Sequence, residues 1–219
     1  MRPFFVAILL SATISAALCQ GDSTAIVRQP RHQVKVSLMD MIDPFSPSFM
    51  LSYEQPFGDQ YSIMLEGGPA SSFGGSWANS DPLEGYKLRG ELRFYIDMSA
   101  AGDRFYLGLQ GLYKHTVKPD LVGSFCRYDC AYSQEMEYSF VKNVVAGHLS
   151  LGVSFALGKH LVMDFGGFGG FRTINGRYDG IPADATKISD LDEFSITFDQ
   201  EGQQFIPSIG AVFRLGFGW

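Results

Sequence analysis

The stretch YKLRGELRFYI, residues 86–96, constrains the fold more than any other part of the chain. Lys87, Arg89, Glu91 and Arg93 alternate with Leu88, Gly90, Leu92, Phe94 and Ile96. A strict period of two puts every charge on one face of an extended strand and every apolar group on the other. A soluble sheet would turn the apolar face to its core. A membrane barrel would turn it to lipid and draw the charges inward.

The same period recurs along the chain and predicts eight strands. They cover about 33–42 (Val34, Val36 and Leu38 on one face), 48–55, 60–68, 86–96, 104–115, 143–157, 160–173 and 205–219. Short connectors (PFGD, MSAAG, GK) alternate with long ones at about 69–85, 116–142 and 174–204, and only the first, DPFSP, is short where a long one is due. Tight turns at one rim and long loops at the other, with strands long enough to cross a bilayer at a tilt, predict an all-β fold. The fold expected is an eight-stranded antiparallel up-and-down transmembrane β-barrel. Lys87, Arg89, Glu91 and Arg93 then face the inside.

The start of the chain reads differently. MRPFFVAILLSATISAALCQG has a basic residue, an apolar run and small residues near Ala17 and Cys19, which predicts a secretory signal peptide over 1–19. Cleavage falls after Ala17 or Cys19, and a lipoprotein reading with Cys19 acylated is the alternative. Residues 20–32 read as a flexible periplasmic lead-in and 33–219 as the barrel. Losing Arg2 takes the formal net charge from −6 to −7, which argues against nucleic acid as a partner. Cys126 and Cys130, four apart in FCRYDCAY, suit a local disulfide in an exported protein. A metal site is the alternative, with only His115 near in sequence.

The final segment carries Phe213, Leu215, Phe217 and Trp219 at alternate positions. A terminal strand of this kind is what the barrel assembly machinery reads. Together with PSFMLSYEQPFGDQYSIMLEGG, YKLRGELRFYI, FYLGLQGLYKHT and GHLSLGVSFALGKHLVMDFGGFGGF, the pattern resembles a domain of unknown function in outer-membrane proteins of Bacteroidetes. More distantly it is similar to the OmpA-type and OmpX-type small barrels. The resemblance spans about 33–173 and, more loosely, the last strand. It implies a small membrane barrel and no established activity.

A barrel of eight strands is filled by its own side chains. The inward set is Glu54, Glu66, Lys87, Arg89, Glu91, Arg93, Lys114, Asp164, Arg172 and Arg214. Buried charges must be paired, so this set reads as a salt-bridge plug, with Asp164 paired to Arg214 on the neighbouring strand and Glu91 meeting Arg89 or Arg93. A narrow ion or proton path is the alternative. For a lipid-modifying enzyme, His148, Ser150, Ser154 and Asp164 all point inward. His148, however, lies six residues from Ser154, about 20 Å along the strand. No catalytic set, metal site or cofactor is expected. GGFGGF at 166–171 lacks the helix a phosphate loop needs and reads as strand glycines. The acidic segment 175–203 has clustered carboxylates but no twelve-residue calcium loop, and reads as a solvated surface segment. The expected role is structural or recognition at the bacterial outer membrane, with surrounding lipid and the assembly machinery as partners. Narrow-pore transport and lipid A modification are the alternatives.

Overall fold

The computed structural model describes residues 32–41, 48–71, 84–97, 103–127, 132–182, 185–187 and 201–219. The leader expected at 1–19 and nearly all of the lead-in lie outside them. The chain forms β1 (Gln33–Ser37), a single helical turn α1 (Leu38–Met41), β2 (Met50–Pro56), β3 (Tyr61–Ser71), β4 (Glu84–Asp97), β5 (Arg104–Arg127), β6 (Tyr132–Ala156), β7 (Leu161–Asp179), β8 (Ala185–Lys187) and β9 (Gly202–Gly218). Eight of these strands make one antiparallel sheet closed into a ring. Consecutive strands pair from β1 to β7, β7 pairs with β9, and β9 returns to β1. The short β8 adds to the far end of β5.

The ring is staggered. Successive cross-strand partners lead from Val162 through Gly216, Lys35, Ser52, Glu66, Arg89, Leu112 and Ala146 to Arg172, ten residues farther along β7. With ordinary strand spacing and rise, that stagger tilts the strands by about 40°. Side chains alone then fill the interior.

Its polarity is inverted relative to a soluble sheet. Ser52, Glu54, Ser62, Glu66, Lys87, Arg89, Glu91, Arg93, Asp164 and Arg214 are buried inside. Leu51, Ile63, Leu65, Leu88, Leu92, Leu107, Leu109, Leu149, Leu151 and Phe165 are exposed outside. The alternation at 86–96 therefore resolves with charges inward.

Three expected boundaries change. The first strand ends at Ser37 rather than about 42, because the chain turns inward there as α1 and Asp40 is buried. The expected loop 116–142 is largely strand: β5 and β6 run on as a long hairpin, with a register shift between Lys118 and Leu121. Beyond the ring this hairpin has its own core, in which Phe125 and Tyr138 meet edge to face at 5.3 Å and Tyr178 packs on Tyr138 and Phe140. The seventh strand likewise reaches Asp179, past the expected end near 173.

Glycine has a definite use at one point of this sheet. Gly152 and Gly166 are cross-strand partners beneath the Tyr106 hydroxyl. A Cβ on Gly152 would stand 2.5 Å from that oxygen and 2.6 Å from the Phe165 carbonyl oxygen. The GGFGGF segment thus leaves room for Tyr106 inside the ring.

Candidate functional site: the interior charge chain

Strand parity delivers the charged side chains to one place. Every second residue of a strand faces the interior. β4 alone contributes Lys87, Arg89, Glu91 and Arg93, while β1 adds Lys35, β2 Glu54, β3 Glu66, β7 Asp164 and β9 Arg214. α1 adds Asp40 from within. These are five acids and five bases, all buried.

They form one continuous chain of alternating charge. Lys87 donates to Asp40, and Arg89 binds the same carboxylate through Nη1 and Nη2, both at 3.1 Å. Arg89 Nη1 also donates to Glu66 Oε2 at 2.9 Å, and Arg214 Nη2 reaches that oxygen at 3.0 Å. Arg214 lies 3.7 Å from Glu91, whose other cationic partner is Arg93 Nη2 at 3.1 Å. Arg93 Nη1 then meets Glu54 at 3.1 Å and Asp164 at 2.8 Å. Lys35 closes the group by donating to Glu54 at 2.6 Å and to Asp164 at 2.7 Å.

Neutral groups add hydrogen bonds to most of the carboxylates, while Glu66 Oε1 and Arg214 Nη1 are buried without a partner. Ser150 donates to Glu91 at 2.6 Å, Ser154 to Asp164 at 2.8 Å, and Ser62 and Tyr95 to Glu54. The Arg93 guanidinium lies over the Tyr106 ring at 4.2 Å. Burying ten charges is tolerable because each sits against opposite charge.

Eight of the ten residues expected inside are brought together, Lys114 and Arg172 being the exceptions, and one expected pair is corrected. Asp164 and Arg214 are direct cross-strand partners, but they form no ion pair with each other. Lys35 and Arg93 take up the Asp164 carboxylate, while Arg214 leans toward Glu66 and Glu91. Glu91 meets Arg93, as expected. Lys114 and Arg172 are half-buried toward the far end and have partners of their own. Two members escaped the sequence reading. Lys35 had a usable signal, since it lies at the opposite parity to Val34 and Val36. Asp40 had none, because its partners Lys87 and Arg89 are distant in sequence and α1 breaks the alternation.

Among the described residues, His148, Ser150, Ser154 and Asp164 do not come together as a triad. Ser154 and Asp164 touch, but that carboxylate is held by Lys35 and Arg93. His148 packs on Phe168 at 4.7 Å between ring centroids, and neither of its ring nitrogens has a hydrogen-bond partner. His115, near the far rim, contacts the Asn143 side-chain oxygen at 2.8 Å. Among the described residues no three His, Cys, Asp or Glu side chains are placed to hold a metal ion. Cys126 is buried at the far end of β5, and its expected partner Cys130 lies outside the described residues. So do Asp184, Asp190, Asp192, Glu193 and Asp199 of the acidic segment. Phe213, Leu215 and Phe217 lie on β9, and Trp219 follows it, exchanging backbone hydrogen bonds with His32 at 3.0 and 3.2 Å.

No family model, curated protein or solved structure matches this chain.

Proposed function

We propose that this protein is an integral β-barrel of the bacterial outer membrane, exported by its N-terminal signal peptide. Its interior is a neutral, rigid plug, and its role is structural or recognition through what projects from the far rim. The observation that carries this reading is the inverted polarity: ten paired charges inside and a continuous apolar surface outside. No helix among the described residues is long and apolar enough to cross a membrane, so strands would make the crossing.

Aromatic groups bracket that apolar surface. Near the short turns stand Phe57, Tyr61 and Phe94, with Phe217 beside His160 and Trp219 beside His32. Toward the far end stand Tyr86 with Tyr113 and His115, and Phe171 stacked on Phe205 at 5.2 Å. Tyr86 and Phe94 are eight residues apart on β4, about 26 Å along the strand and, at a tilt of about 40°, about 20 Å in height. Outer-membrane barrels carry an apolar band about 25 Å tall between two aromatic girdles. Surrounding lipid and the barrel assembly machinery are the partners of this reading, and the Bacteroidetes outer-membrane domain is the family it resembles.

The interior chain argues against solute flow, since each cation is held by carboxylates across the lumen. Recognition would then fall to the β5–β6 hairpin, an ordered projection with its own aromatic core. The test is heat-modifiability. The protein should sediment with outer membranes and migrate differently on SDS gels with and without boiling. A soluble protein with no shift would overturn the reading.

A further inference from the structure

His148 borders the charge chain without belonging to it. It points inward from β6, 3 % exposed, opposite Gln110 on β5 and Gly170 on β7. Gly170 leaves room for it, since a Cβ there would stand 2.8 Å from the His148 Cα. Neither ring nitrogen has a hydrogen-bond partner among the described residues, and the Gln110 side-chain oxygen beside it has none either. An imidazolium would bring two N–H donors and a charge into that setting.

The charges around the ring are of one sign. β4 turns Lys87 and Arg89 toward it, and β7 turns Arg172. β5 presents the uncharged Gln110 and, opposite Lys87, the further cation Lys114. The carboxylates of this part of the lumen are engaged elsewhere. Asp40 of α1 is held by Lys87 and Arg89, and Glu66 of β3 by Arg89 and by Arg214 of β9. Phe168 ties the ring to the chain, with its centroid 4.7 Å from that of His148 and 5.9 Å from the Arg89 guanidinium carbon.

Lys87 and Arg89 also fix α1, because the turn stays inside through their hold on Asp40. Ser37 Oγ donates to Asp40 Oδ2 at 2.5 Å, and the Ser48 amide donates to the Asp40 carbonyl at 2.8 Å. A charge on His148 would press on the same two cations that anchor this turn.

We propose that His148 is an acid-sensitive switch for α1. Neutral, it leaves Lys87 and Arg89 to hold Asp40. Protonated, it sets a further cation against them, and the turn lets go. The sign follows from proton linkage. With α1 released, the ring meets water and takes up a proton near about pH 6.5, whereas the closed lumen offers that proton no carboxylate. Acid therefore favours release. Between about pH 7.5 and about pH 5.5 the released fraction should rise about tenfold.

The test follows amide hydrogen exchange of the full chain in maltoside micelles by mass spectrometry at those two pH values. Each rate is referred to that of an unstructured peptide at the same pH. Protection over 38–48 should fall about tenfold in acid, while protection over 161–165 holds. His148→Gln, which takes up no proton, should abolish the fall. His148→Phe, which keeps the contact with Phe168, gives the same reading should the glutamine variant not fold. An acid effect that survives in the folded variant would overturn the switch. So would equal loss of protection along the whole ring, or a turn equally protected or equally unprotected at both pH values.

Discussion

Asp164 and Arg214 face each other across β7 and β9, yet each binds a different partner. Asp164 is held by Lys35 at 2.7 Å and Arg93 at 2.8 Å, and Arg214 by Glu66 at 3.0 Å. Adjacency on the sheet does not decide pairing inside so narrow a ring. A long side chain reaches across the lumen as readily as to its neighbour. A double-mutant cycle should show it. Asp164→Asn with Lys35→Met should be coupled by about 1–3 kcal/mol, and Asp164→Asn with Arg214→Met by clearly less. Urea unfolding in detergent micelles gives both values, and equal couplings would contradict the geometry.

Removing one member of the chain outright should be costly. Lys35→Met leaves Glu54 and Asp164 with Arg93 as their shared cation. A loss of about 3–5 kcal/mol is expected from stranding buried charge. The double change Lys35→Met, Asp164→Asn should recover part of that loss, since it restores equal numbers of buried acids and bases and leaves Glu54 with Arg93. A double variant weaker than Lys35→Met would show that the chain matters as more than charge balance.

The outer surface supplies a paired comparison. Leu149 is 70 % exposed on the ring, and Val122 is 64 % exposed on the projecting hairpin. A soluble protein would accept lysine at both. In a barrel, Leu149→Lys places a charge in hydrocarbon and should reduce folding into lipid vesicles by about 2–4 kcal/mol, while Val122→Lys should change little. Equal tolerance at the two sites, measured by the heat-dependent mobility shift, would count against the membrane.

Gly152 should resist substitution. In Gly152→Ala the new methyl meets the Tyr106 hydroxyl and the Phe165 carbonyl. A cost of about 1–3 kcal/mol follows from overpacking. Adding Tyr106→Phe should relieve part of it, because only the hydroxyl contact is removed. Full stability in Gly152→Ala alone would mean that the two strands move apart at small cost.

The far hairpin should be separable from the ring. Phe125→Ala empties the contact with Tyr138 and should expose 117–141 to protease, while the mobility shift of the ring persists. A disulfide between Cys126 and Cys130, the expectation from their spacing, would make the native chain resist alkylation at both until reduced. Alkylation without reductant would remove the disulfide.

The ring was legible because alternation is a local property. YKLRGELRFYI gives β4 and its inward charges almost residue for residue. What escaped depended on distant contacts or on turn-like composition. Leu38 continues the parity of Val34 and Val36, so nothing local announces that Asp40 will fold inward toward Lys87. Residues 116–142 contain Pro119, Asp120 and Gly123, which suggest a loop. The structure instead absorbs them as an irregularity, with Asp120 at φ 54° and a register shift between Lys118 and Leu121. The aromatic pairs that hold the strands together lie beyond it. Ion-pair identity was legible only as a set, because the lumen lets any member reach several others.

The five-residue pairing of β1 with β9 also has a consequence in time. It joins Gln33 to Gly218, nearly the whole chain apart, while every other seam of the ring joins strands that adjoin or nearly adjoin in sequence. Closure therefore waits for the last strand to be synthesised and delivered. Until then Lys35 is absent from Asp164, and Arg214 is absent from Glu66. A half-assembled sheet holds uncompensated carboxylates on its inner face, and the strand that shuts the ring also neutralises it.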